Sequence, residues 1–203
     1  MKICVAGWYF RPKFLLMLKN SGFETFVVMH RDGDTHGLPS MLYPNIGLEF
    51  GCYRSYVEDH WDGVSDVLFV HDDVELSDTV GLHDVASLAG IGVEQAYIFH
   101  NENDELVNGG AHGRAIWIRG DILKKLAADF PLDENNVGKN IGIEAQKGIL
   151  RFHREILKCG QNTAVIAIVP QFEFAHRGRL HDNMFVYRKQ GAHVPGGLVN
   201  VSE

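Results

Sequence analysis

The sequence predicts an α/β domain built on a mixed, mainly parallel sheet flanked by helices. Three observations carry that expectation. The chain opens with an apolar run, "KICVAGW" (2–8), then a helix-patterned segment, then a second apolar run, "ETFVVMH" (24–30). That β-α-β order favours parallel pairing through a right-handed crossover. A third run, "DVLFVHDD" (66–73), follows another helical stretch. All three are apolar without strict alternation, as in strands covered on both faces.

The elements follow in order. "RPKFLLMLKNSG" (11–22) reads as a helix: Pro12 suits its start, Phe14, Leu15 and Leu18 share a face, and Gly22 ends it. Arg31 to Pro44 is polar, contains Gly33, Gly37 and Pro39, and reads as a loop. "LEFGCYRSYVEDHW" (48–61) and "VGLHDVASLAG" (80–90) read as helices, and "EQAYIFHNENDELVNGG" (94–110) as strand, turn and strand. "GRAIWIRGDILKKLAADF" (113–130) runs from a strand into a helix beginning near Asp121, whose carboxylate is a candidate cap. "EAQKGILRFHREILKCG" (144–160) is the clearest amphipathic helix, closed by Gly160. "TAVIAIVPQFEFAH" (163–176) supplies one or two further strands, with some antiparallel pairing expected in this half. The remainder reads as loop or tail.

With 203 residues and 45% hydrophobic content, the chain suits a single domain over 1–203, with 190–203 as a tail. A net charge of −7 argues against general binding to nucleic-acid backbones. The three cysteines, Cys4, Cys52 and Cys159, are scattered, which fits a reducing cytoplasm better than a disulfide framework. The N-terminus reads as a first strand and not as a signal peptide, and no apolar run is long enough to span a membrane.

Ligands of open α/β sheets gather outside the carboxyl ends of the strands. Three such ends invite attention: Gly7-Trp8-Tyr9, His30-Arg31-Asp32 and His71-Asp72-Asp73. Adjacent carboxylates after a buried strand are costly unless solvated or compensated. They mark either a solvated turn or a site for Mg²⁺ or Mn²⁺, which prefer carboxylate oxygens shared with substrate phosphates. Asn45-Ile46-Gly47 precedes the second helix: the asparagine can hydrogen-bond a base or sugar, and the glycine permits close approach. The plain alternative is a loop leading into a helix. Tyr9, just after the first strand, is assigned to a base or sugar ring, and Tyr56 and Trp61 to packing.

Read in order, these segments resemble family 2-like glycosyltransferases of the GT-A (Rossmann-like) fold. The resemblance rests on the β-α-β opening, Asn45-x-Gly47 before a helix, and the D-x-D-like "FVHDDV". It continues through "GRAIWIRGDIL" (113–123), "FPLDE" (130–134), Glu144, "ILRFHREILKCG" (149–160) and a strand ending at His176. It covers roughly residues 2 to 178. It implies transfer of a sugar from a nucleotide-diphosphate-sugar donor to an acceptor hydroxyl, by an inverting hexosyltransferase-like reaction with Mn²⁺ or Mg²⁺. The nucleotide would lie against Gly7, Tyr9, Arg31, Asn45 and Gly47; His71 would bind the metal or orient the donor, and His112 would face the meeting point of acceptor and donor sugar, its plain reading being a tight turn before a strand. Asp73, then Asp72, would ligate the metal, with His176 as a late ligand. His181 reads as a surface histidine. The acceptor would be a carbohydrate, glycolipid or protein. A nucleic-acid acceptor is a further class that the charge weighs against, and a partner chain is one way to complete so short a domain.

Two departures matter. The two acidic positions of the motif hold His71 and Asp73, with Asp72 between. Where the family often has Glu-Asp, this chain has Glu144-Ala145. The general-base role then falls to Glu144, with Asp72 as the second candidate. The plain reading of Glu144 is an acid at a helix N-terminus. The rival readings are a decayed GT-A scaffold that binds nucleotide or sugar, and a sugar-phosphate nucleotidyltransferase. The second lacks a glycine-rich loop after strand one, since "GWYFRPK" has one glycine.

Overall fold

The computed structural model describes residues 1–46, 48–72, 74–76, 79–92, 94–97, 115–127, 163–165, 172–176, 179–181 and 188–190. The first half runs β1 (Lys2–Gly7), α1 (Pro12–Asn20), β2 (Glu24–Met29), β3 (Ser40–Leu42), α2 (Leu48–Asp59) and β4 (Val67–His71). Then come β5 (Val74–Leu76), α3 (Val80–Ser87) with a 3-10 turn (Leu88–Ile91), β6 (Gln95–Tyr97), β7 (Ala115–Ile118) and α4 (Gly120–Leu126). The remaining described elements are β8 (Thr163–Val165), β9 (Phe172–His176), β10 (Arg179–His181) and β11 (Arg188–Gln190).

The main sheet has the order β11-β8-β6-β7-β4-β1-β2-β3, and a small sheet has the order β10-β9-β5. Pairs β1–β2, β1–β4, β2–β3 and β6–β8 are parallel. Pairs β4–β7, β6–β7 and β8–β11 are antiparallel. The sheet is therefore mixed and mainly parallel.

Alternation along the central strands divides the core into two layers. Ile3 and Val5 of β1, Leu68 and Val70 of β4 and Trp117 of β7 pack with Phe14, Leu15 and Leu18 of α1 and Leu82 and Val85 of α3. Their neighbours Cys4, Ala6, Val67, Phe69 and Ile116 face Phe50, Tyr53 and Tyr56 of α2 and Ile122, Leu123 and Leu126 of α4. Both faces of these strands are buried, which is why their sequences are apolar without a break. At about 25 cal/mol per Å² of apolar surface, these two layers supply most of the folding drive.

Several short elements depart from the sequence reading. β3 lies inside the predicted loop; it is a three-residue edge strand whose Ser40 and Leu42 are exposed. Its pairing is set by β2, where the Val27 amide donates to the Pro39 carbonyl at 2.9 Å. β5 follows the acidic turn, and β10 and β11 lie in the predicted loop or tail. Helix α4 begins at Gly120, whose amide donates to Asp66 Oδ1 at 2.8 Å; the residue before it, Arg119, makes no side-chain cap. Asp121 sits in its first turn and pairs with Arg119 Nε at 2.5 Å, which holds the Asp121 carboxyl below its usual range. The amphipathic segment 144–160 and the second strand expected within 94–110 lie outside the described residues.

Candidate functional site

The carboxyl ends of β1, β2 and β4 lie side by side because the strands are parallel and in register. Gly7 is level with Met29, and Ala6 with His71. The next residues are tied across the strands. The His30 amide donates to the Gly7 carbonyl at 3.2 Å, and the Asp72 amide to the Ala6 carbonyl at 3.1 Å. Trp8, His30 and Asp72 thus follow three adjacent strand ends.

Asp72 is fully buried. Its Oδ2 accepts the backbone amides of Trp8, Tyr9 and Phe10 at 2.9, 2.7 and 2.7 Å. Its Oδ1 has no hydrogen-bond partner among the described residues and lies 3.9 Å from His71 Nδ1. Burial pushes the Asp72 carboxyl up from its ordinary value, while His71 and the three amides pull it back.

Around this turn sit aromatic and cationic groups. Trp8 is 36% exposed and Tyr9 50% exposed. The Arg31 guanidinium carbon lies 5.2 Å from the Trp8 ring centroid, and that of Arg11 lies 5.7 Å from the Tyr9 centroid. Tyr9 also meets His71 edge-on at 5.9 Å, and Trp8 meets His30 at 6.4 Å. Both exposed rings offer surface for stacking a planar group. The sequence singles out the Gly7-Trp8-Tyr9 strand end and, of its two rings, assigns Tyr9 to the ligand; Arg11 is not among its candidates. The signal for these residues was position alone, immediately after a buried strand.

His30 is fixed from below. Its Nε2 lies 3.2 Å from Cys52 Sγ on α2, and that thiol donates to the Val28 carbonyl at 3.4 Å. Burial drives the Cys52 thiol well above its ordinary value, so it stays protonated as that donor requires. Asn45 is exposed on the segment leaving β3, two residues after Tyr43, whose ring centroid lies 6.5 Å from that of His30. The segment is pressed against α2: a Cβ at Gly51 would run into the Ile46 carbonyl. Gly7 is buried, and a Cβ there would lie 2.9 Å from Val27 Cγ1, so its glycine serves packing at the strand end.

Gly47, Asp73, His112 and Glu144 lie outside the described residues. The backbone carries one relevant relation for His176. β5 starts two residues after Asp72 and pairs antiparallel with β9, Val74 opposite Phe174. The strand that ends at His176 therefore runs back toward the turn carrying Asp72. Among the described residues, no three His, Cys, Asp or Glu side chains converge as a metal site. The enclosed Asp72 carboxylate does not fit a metal shared with a solvent-facing diphosphate.

Arg119 belongs to the other end of the sheet. β7 runs against β4, with Ile118 opposite Val67 and Ala115 opposite Val70. The arginine that follows Ile118 bonds Glu94 and Asp121. Within "GRAIWIRG", only the start of β7 is level with the carboxyl end of β4.

No protein-family model matches the chain, and no curated protein matches it in sequence. In fold, the chain is an α/β domain of the GT-A-like kind seen in glycosyltransferases. S. aureus TarS matches with a TM-score of 0.58 at 14% identity, over 87% of this chain and 37% of that one. TarS 1–349 in complex with UDP-GlcNAc matches with a TM-score of 0.59 at 15% identity, over 87% of this chain and 59% of that one. The mannosyltransferase PcManGT from Pyrobaculum calidifontis, in complex with GDP-Man and Mn²⁺, gives 0.52 at 14% identity, over 82% and 54%. The chain thus spans 37% to 59% of the length of these proteins. Among the described residues, no helix is long and apolar enough to cross a membrane.

Proposed function

We propose that the protein is a glycosyltransferase that moves a sugar from a nucleotide-diphosphate-sugar to an acceptor hydroxyl. The observation that carries this reading is the cluster at the carboxyl ends of β1, β2 and β4, on a sheet with GT-A-like neighbours. Exposed Trp8 and Tyr9, with Arg31 and Arg11 beside them, suit an aromatic base joined to an anionic diphosphate. Asn45 is exposed and is assigned in this proposal to the base or ribose. That a neighbour binds UDP-GlcNAc and another GDP-Man with Mn²⁺ supports the substrate class.

In this proposal Asp73 and His176 hold a divalent cation, as the D-x-D-like motif implies. Such an ion would neutralise the diphosphate and stabilise it as a leaving group. Glu144 takes the proton of the acceptor hydroxyl. The acceptor oxygen bonds to the anomeric carbon as the bond to the diphosphate breaks, and the diphosphate leaves with the electron pair. Direct displacement of this kind inverts the anomeric centre. Gly47, His71 and His112 remain assigned to the donor side.

Ala145, in place of the usual aspartate, favours a second reading: a scaffold that binds the donor without transferring it. The test is a thermal-shift screen of UDP, GDP, UDP-GlcNAc and GDP-Man, with and without Mn²⁺. Selective, Mn²⁺-dependent stabilisation is expected. No stabilisation by any of these would refute the donor site.

A further inference from the structure

Three successive amides, from Trp8, Tyr9 and Phe10, converge on Asp72 Oδ2. Consecutive amides aimed at one point form a nest for an anion, the device that elsewhere cradles phosphate oxygens. Here Asp72, the residue that follows β4, supplies the anion, so the nest after β1 is already filled. The turn needs such a hold. Phe10 sits at φ 53°, in the left-handed region, where a bulky residue is strained. Its ring is buried against Gly33, where any Cβ would strike it. The shape of the turn decides where Trp8 and Tyr9 stand, and both are exposed. Asp72 is enclosed on both oxygens, whereas a metal shared with a diphosphate needs ligands open to the site.

We propose that Asp72 is a positioning residue and not a metal ligand: its carboxylate holds the Trp8–Phe10 turn in the shape that presents the Trp8 and Tyr9 rings to a nucleobase. This rests on the nucleotide-sugar reading above. It removes Asp72 from the metal and general-base roles, and leaves Asp73 as the acid of the motif that meets the donor.

The test separates base binding from metal binding. Wild type, Asp72→Asn and Asp72→Ala are titrated calorimetrically with UMP and GMP in EDTA, then with UDP and GDP in Mn²⁺. Positioning predicts that Asp72→Ala weakens the monophosphate about tenfold and the diphosphate by the same factor. Asp72→Asn, which keeps one acceptor oxygen for the amides, should fall between. A loss confined to the Mn²⁺-dependent diphosphate would make Asp72 a metal ligand and overturn the proposal, as would unchanged affinity throughout. Should Asp72→Ala not fold, Asp72→Asn carries the same comparison. Amide exchange without ligand gives an independent reading. Faster exchange centred on Trp8, Tyr9 and Phe10 supports the clamp, and unchanged protection there overturns it. If wild type binds no nucleotide, the donor reading falls, and exchange alone decides whether Asp72 holds the turn.

Discussion

Arg31 holds Trp8 in two ways at once: its Nε donates to the Trp8 carbonyl at 2.7 Å, and its guanidinium carbon lies 5.2 Å from the Trp8 ring centroid. The same guanidinium is 5.8 Å from the Phe10 ring. The turn after β1 is thus gripped from β2 by Arg31 and from β4 by Asp72. Replacing Arg31 by lysine keeps the charge and loses the planar fork. Arg31→Lys is expected to shift Trp8 fluorescence and to weaken UDP or GDP binding several-fold. The change in stability should stay under about 1 kcal/mol, because the contact is exposed. Fluorescence titration beside thermal melts checks both.

The Cys52 thiol is enclosed between His30 and the Val28 carbonyl, and burial raises both the Cys4 and Cys52 thiols well above their ordinary values. Neither should react with iodoacetamide in the native state at pH 8, because the thiolate is the nucleophile. Both should react once the chain is unfolded in guanidinium. Peptide mapping by mass spectrometry distinguishes them from Cys159. Native labelling of Cys52 would mean that α2 does not close on β2 as described.

Gly51 lies in the first turn of α2, where an added Cβ would meet the Ile46 carbonyl. That backbone cannot swing aside without moving Asn45. Gly51→Ala is expected to lower stability by about 2 kcal/mol despite the better helix propensity of alanine. If Asn45 serves the donor, nucleotide affinity should fall as well. Thermal denaturation and nucleotide titration of this variant separate the two effects.

Asp62 caps the turn before β4. Its Oδ1 accepts the Val64 and Ser65 amides at 2.9 and 2.8 Å, and its Oδ2 accepts the Ser65 hydroxyl at 2.7 Å. The Ser65 bonds, more than the nearby Lys2, hold its carboxyl well below the usual range. A depressed carboxyl stabilises the fold above its unfolded value of about 3.9 and loses that contribution as pH falls toward the folded value. Asp62→Asn should therefore lie below wild type at pH 7 and converge with it toward pH 2. The gap should stay below about 1 kcal/mol, because the group is over a third exposed. Denaturant melts at pH 7, 4 and 2 check it.

Much of the fold was legible because its central strands are buried on both faces. Ile3 and Cys4, or Leu68 and Phe69, point into different layers, yet all need to be apolar. β3, β5, β10 and β11 were not legible, since three residues between polar neighbours leave no period to read. The topology rule pointed to strand ends that the structure brings side by side, and Tyr9 is exposed at one of them. The direction of Asp72 was hidden: in "HDD" nothing separates a carboxylate facing solvent from one facing inward. Its partners are backbone amides, which no residue letter records. A faint signal was "GWYFRP", a turn with no side-chain acceptor of its own before a helix.

Release of UDP from UDP-GlcNAc or of GDP from GDP-Man with Mn²⁺ is the measurement that decides for or against sugar transfer. Release is predicted that vanishes in EDTA and falls at least a hundredfold in Asp73→Asn. Binding of these donors in Mn²⁺ with no release, alone or with added acceptors, would contradict transfer and leave the protein a binding scaffold.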